Sequence, residues 1–121
     1  MSRAILDASA VVELLRGTPA GKHLIRLLGP DPELHVPDLC GHEVANVLRT
    51  LVRQGAVTEP RARAALVDLR DLPAVRHAVE PLFPRIWQLR DNLTVYDASY
   101  VALTEALDGT LYTADRRIRT A

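Results

Sequence analysis

Asp7, Glu43, Asp97 and Asp115 are the side chains of this sequence best placed for concerted chemistry. Asp7 follows the apolar burst Ala4-Ile5-Leu6, Asp97 falls in the first turn of an alanine-rich helical stretch, and Asp115 comes three residues after Tyr112. Glu43 lies in the first turns of the most clearly patterned helix, beside its apolar stripe. Each acid alone has an ordinary explanation. Asp is a favoured helix N-cap, Thr94-x-x-Asp97 fits a capping box, and a surface Glu is normally solvated. Gathered at one place, however, like charges within a few ångströms resist joint ionisation unless a cation sits between them. Oxygen donors with no thiolate or imidazole partner favour Mg²⁺ or Mn²⁺, and such an ion lowers the pKa of a bound water.

The elements that must gather these acids are legible in the apolar periodicity. Residues 4–6 predict a short strand, and Ala8, Val11, Val12 and Leu15 continue as a helix up to Gly17. Thr18 caps a second helix with Pro19 at its first position, and Leu24, Leu27 and Leu28 form its stripe before Gly29. Residues 34–36 predict a second strand ended by Pro37. Val44, Val47, Leu48, Leu51 and Val52 share one face of the next helix, which Gly55 closes. Thr58 and Pro60 open a fourth helix with Ala65, Leu66 and Leu69 inward, residues 75–79 predict a strand, and a short helix surrounds Ile86, Trp87 and Leu89. A helix over 96–107 stopped by Gly109 and a strand over 110–112 complete the pattern. Alternating strands and helices predict an α/β fold with a short central parallel sheet flanked by helices, which binds ligands beyond the carboxyl ends of its strands.

Composition removes several classes. At 121 residues and 48% hydrophobic, the chain is expected to form one domain over residues 1–121 with a buried core. Fifteen basic residues balance fifteen acidic ones, which argues against a polybasic membrane anchor and leaves nucleic-acid binding to local patches. No apolar run is long enough to span a bilayer, and MSRAILDASA has no basic leader before an apolar run, so a cytoplasmic protein is expected. Cys40 is the lone cysteine, and no fourth ligand accompanies His35, Cys40 and His42 toward a zinc site. In His42-Glu43-Val44-Ala45-Asn46 the second His of a zinc-protease pattern is Asn46. Gly17 to Lys22 falls one residue short of a phosphate loop and is better explained by helix capping.

Four segments taken together carry a resemblance. LDASAVVELL (Leu6 to Leu15), HEVANVLR (His42 to Arg49), TVYDASYVALTEAL (Thr94 to Leu107) and LYTADRRI (Leu111 to Ile118) resemble, in order, the four acidic motifs of PIN-domain ribonucleases, and most of all those of VapC toxins. The resemblance implies a PIN-like fold and a Mg²⁺- or Mn²⁺-dependent endoribonuclease with Asp7, Glu43, Asp97 and Asp115 as its acidic quartet. It also implies a toxin held in check by a cognate VapB-like antitoxin, and a homodimer. By the same match Ser9 and Thr113 would orient the carboxylates or a metal-bound water, with helix-start capping as their alternative, and Asn46 would sit one helical turn from Glu43.

Arg49 and Arg53, one turn apart, and Arg116 and Arg117, just behind Asp115, have the look of solvated helix faces. A ribonuclease would use them as the cationic surround that holds RNA, since guanidinium matches phosphate bidentately. Trp87, Tyr96 and Tyr100 are expected in the core. The rivals are a catalytically inactive PIN-like module that only binds RNA or protein, and a Mg²⁺-binding signalling receiver domain. The receiver needs a lysine after a late strand, whereas the only lysine is Lys22 in the second helix. An acidic pocket also invites an antitoxin arginine that competes with metal, while the rest of that partner lies in an apolar groove.

Overall fold

The computed structural model describes residues 3–114, so Asp115, Arg116 and Arg117 lie outside the described residues. Four strands, β1 (Arg3–Leu6), β2 (Glu33–Pro37), β3 (Ala74–His77) and β4 (Thr110–Tyr112), form a parallel sheet in the order β3-β2-β1-β4. The inner strand β1 has Ile5 and Leu6 fully buried, the near-continuous apolar run that a parallel strand covered on both faces requires. Its Ile5 stands opposite His35 of β2 and Leu111 of β4.

The helices among the described residues are α1 (Ala8–Arg16), α2 (Pro19–Leu28), α3 (Cys40–Arg53), α4 (Glu59–Asp71), α5 (Phe83–Gln88) and α6 (Val95–Leu107). A 3-10 turn, Glu80–Leu82, precedes α5. Chain order steps from β1 to β2 to β3 in one direction, then returns across the sheet to β4 beside β1. Right-handed crossovers therefore put α1–α4 on one face and α5–α6 on the other, and the packing agrees. α1 packs on α2, α3 and α4, whereas α6 packs on β1, β2, β4 and α5. The reversal of direction falls between β1 and β4, where an open parallel sheet leaves a crevice at its carboxyl edge. Asp7 and Thr113 follow those two strands directly.

Local chemistry explains the element ends. The Thr18 hydroxyl accepts the Gly21 N–H at 3.1 Å, and the Thr94 hydroxyl accepts the Asp97 N–H at 3.1 Å, so both predicted caps form. Gly21 also lets α2 approach α1, because a Cβ there would stand 2.1 Å from the Glu13 carbonyl oxygen. Four expectations need correction. Leu27 and Leu66, expected on the inward faces of α2 and α4, are 57% and 39% exposed. The strand predicted over 75–79 is Ala74–His77, held in register by pairing of Leu34 with Ala74 and Pro37 with His77. Helix α6 ends on Asp108 in the left-handed region (φ 51°) rather than at Gly109, whose small size instead admits the Ile5 side chain and the Arg3 carbonyl. Of the three aromatics expected in the core only Tyr100 is buried; Trp87 and Tyr96 are 62% and 60% exposed. Trp87 lies under the Arg90 guanidinium, 4.7 Å from the ring centroid, while Tyr96 sits on the first turn of α6 above the buried part of that face.

Candidate active site

A cavity of about 310 Å³ opens at the carboxyl edge of the sheet, walled by α1, α3 and α6. Asp7, Glu43 and Asp97, one acid from the start of each helix, line it together with Ser9 and Tyr100. The structure thus brings three of the four predicted acids to one place.

Asp7 is 3% exposed and heavily bonded. Its Oδ1 accepts the Ala10 N–H at 2.9 Å and the Ser9 hydroxyl at 2.7 Å, its Oδ2 accepts the Thr113 hydroxyl, and its own N–H donates to the Tyr112 carbonyl at 3.2 Å. The same carboxylate therefore caps α1 and is fixed in orientation by two hydroxyls, one from the first turn of α1 and one from the residue after β4. Ser9 in turn accepts the Ala114 N–H at 3.0 Å, tying the segment after β4 to α1. Capping belongs to Asp7 here, and Ser9 and Thr113 serve as orienters of its carboxylate.

Glu43 receives the Tyr100 hydroxyl at 2.6 Å. Burial pushes its carboxyl above the ordinary carboxylate range; the Tyr100 hydrogen bond opposes that rise, and the charges of Asp97 and Asp7 add to it. Burial, foremost, also drives the Tyr100 phenol far above its usual range, so it stays a donor. Asp97 is held in the first turn of α6 by the Thr94 cap and faces the same space.

The remaining predicted residues distribute differently. Asn46 is exposed on α3, with its carbonyl accepting from Thr50. Arg49 and Arg53 line a separate hollow between α3 and α4 rather than the acidic cavity. Two residues not singled out from sequence line the cavity instead: Glu13 and Arg16. Their signal was available in the spacing, because Ser9, Glu13 and Arg16 fall at i, i+4 and i+7 along one face of α1. The imagined zinc cluster dissolves: His35 bonds Glu33 and His77, Cys40 is buried with its thiol pushed up to about 11 by burial, and His42 is exposed.

Carboxylate oxygens are the donors a hard divalent ion takes, and the mutual opposition of Glu43, Asp97 and Asp7 is the electrostatic load a cation relieves. By donor chemistry these residues fit such an ion. As placed, they share a cavity rather than a finished coordination sphere: among the described residues no three His, Cys, Asp or Glu side chains are grouped closely enough to hold one.

A parallel sheet that delivers carboxylates from three helix starts to a cavity beyond its switch point is the plan of a PIN domain. The chain belongs to the PIN domain family, whose model matches residues 4–121. Within it the similarity is to VapC ribonucleases. The chain is 42% identical over 114 residues to VapC ribonuclease Mb0985 of Mycobacterium bovis, covering 94% of this chain and 87% of that one. It is 41% identical over 122 residues to ribonuclease VapC1 of Mycobacterium tuberculosis, covering 100% and 92%. Among solved structures, PAE2754 from Pyrobaculum aerophilum superposes with a TM-score of 0.74 at 25% identity, over 97% of this chain and 77% of that one. A toxin–antitoxin complex from Klebsiella pneumoniae shares the fold, with a TM-score of 0.63 at 19% identity over 93% and 86%.

Proposed function

We propose that this chain is a VapC-type endoribonuclease, the toxin of a toxin–antitoxin pair, that hydrolyses RNA phosphodiester bonds with Mg²⁺ or Mn²⁺ at Asp7, Glu43 and Asp97. Asp115, outside the described residues, is the fourth acid of the same set. The observation that carries the reading is the convergence of three acids, each at the start of a different helix, on one cavity within a PIN fold.

The ion, when bound, lowers the pKa of a water and stabilises charge on the phosphoryl oxygens. The protein's own part is positional. Ser9, Thr113 and the Ala10 N–H hold Asp7 in one orientation, and the Tyr100 hydroxyl aims Glu43. A carboxylate of the set accepts the proton of the attacking water as its oxygen bonds to phosphorus and the opposite ester bond breaks in line. Arg49 and Arg53, with Arg116 and Arg117, hold the RNA strand outside the acidic cavity. Residues 1–121 form the one domain, two copies pair as a homodimer, and the protein works in the cytoplasm. Among the described residues no helix is long and apolar enough to cross a membrane. A VapB-like antitoxin restrains the activity by placing an arginine among the carboxylates.

The test is purified chain with total RNA in Mg²⁺, Mn²⁺ or EDTA, with cut ends mapped. Discrete cuts with either ion, absent in EDTA and in Asp97→Asn, are expected. Cleavage that survives EDTA and Asp97→Asn alike contradicts the proposal.

A further inference from the structure

We propose that Arg16 is a substrate-binding residue of this site, the cation that grips an RNA phosphate beside the one being cleaved; the proposal rests on the ribonuclease reading above. Among the described residues four carboxylates line the cavity, Asp7, Glu13, Glu43 and Asp97, and the one guanidinium that joins them is that of Arg16. The bland explanation for an arginine in the last turn of a helix is service to the helix end, where a cation suits the dipole and can bond the terminal carbonyls. That service is already supplied here. Arg61 of α4 donates to the Leu15 carbonyl at 2.7 Å, and the Gly17 N–H donates to the Leu14 carbonyl at 3.3 Å.

An internal ion pair is the second ordinary role, and Arg16 makes none among the described residues. Glu13, one turn back on the same face, has its carboxylate engaged by the Thr18 hydroxyl. Arg16 is nevertheless only partly exposed and faces the cavity, so its charge is held at the site rather than spent in solvent. An ion held by Asp7, Glu43 and Asp97 would offset the charge of the phosphate undergoing attack, but the neighbouring phosphate must still approach a wall of carboxylates. A planar guanidinium that forks onto two phosphate oxygens answers that repulsion. Val47 and Leu51 of α3 line the same cavity, leaving apolar surface for the sugar or base between the two phosphates.

The experiment compares Arg16→Ala and Arg16→Lys with the unchanged chain in two ways. An unstructured single-stranded RNA is bound to Asp97→Asn protein carrying each Arg16 variant, across a salt series. In parallel, kcat/KM for cleavage with Mg²⁺ is measured with Asp97 intact. Losing one phosphate contact should flatten the slope of log K against log salt by about 0.7 and weaken binding about tenfold at low salt. KM should rise more than kcat falls. Arg16→Lys should restore the slope but not the full affinity, since it keeps the charge and loses the fork. Cleavage by the unchanged chain together with an Arg16→Ala variant whose affinity, slope and KM are all unaltered overturns the role of Arg16 alone. Failure of the unchanged chain to cleave any RNA overturns the ribonuclease reading and this assignment with it.

Discussion

Replacing Asp7 by Asn and by Ala should separate its two duties, because only one of them requires charge. The carboxylate accepts three hydrogen bonds at a site that is 3% exposed. In Asp7→Asn the amide oxygen keeps the Ala10 N–H and the Ser9 hydroxyl, and the amide nitrogen donates to Thr113, whose hydroxyl then acts as acceptor. Asn is also as good an N-cap as Asp. The fold should therefore hold to within about 0.5 kcal/mol, while the negative charge that an ion needs is gone. In Asp7→Ala the cap is lost at about 1 kcal/mol, and two part-buried hydroxyls lose their acceptor for about 1 kcal/mol more. The second figure is at the low end because Ser9 and Thr113, 3.4 Å apart, can pair with each other. For 121 residues the unfolding entropy makes 1 kcal/mol worth about 4 °C. Thermal unfolding without metal should thus place Asp7→Asn within about 2 °C of the unchanged chain and Asp7→Ala about 8 °C below it. Equal losses in both variants would refute the view that an acceptor cap, rather than the charge, ties Asp7 into the fold.

Other perturbations follow from the same geometry. Tyr100→Phe removes the one influence that pulls the Glu43 carboxyl down, so Glu43 should take up its proton at higher pH and the acid limb of Mn²⁺ binding should move upward; calorimetry across pH checks this, and an unmoved limb contradicts it. Cys40, 1% exposed with a thiol pushed up to about 11 by burial, should resist alkylation at pH 8 in folded protein and react fully in urea. His77 has its pKa lowered, first by burial and then by His35 and Arg3. The folded state thus binds its proton more weakly than the unfolded state, and that stabilisation, complete above the ordinary value of about 6.5, fades as pH falls toward the lowered value. Urea unfolding of His77→Gln should show a flatter loss of stability through that window, and an unchanged profile would count against the burial of His77 as its source.

The parallel sheet was legible because β1 is buried on both faces and its apolar run lacks alternation, and the helices because Thr18, Thr58 and Thr94 are true caps. The convergence of Asp7 with Asp97 was legible because a parallel sheet flanked by helices binds ligands beyond the carboxyl ends of its strands. What escaped was side-chain direction. Periodicity cannot tell Tyr96 from Tyr100 when both fall on one face of α6, and only the depth of the sheet edge decides that one is solvated and the other bonds Glu43. Arg16 and Glu13 escaped because both lie well past the end of β1, whereas the cavity extends along the length of α1. Arg49 and Arg53 stood out by their spacing, yet they lie on the side of α3 that faces α4.

The central claim, that acids from three helix starts act as one ion-binding set, is tested most directly by calorimetric titration of Mn²⁺ into the purified chain and into Asp7→Asn, Glu43→Gln and Asp97→Asn. Binding that is saturable in the unchanged chain and weakened at least tenfold in each of the three variants, all of them folded, is the predicted result. Equal Mn²⁺ affinity in the unchanged chain and all three variants would contradict the claim.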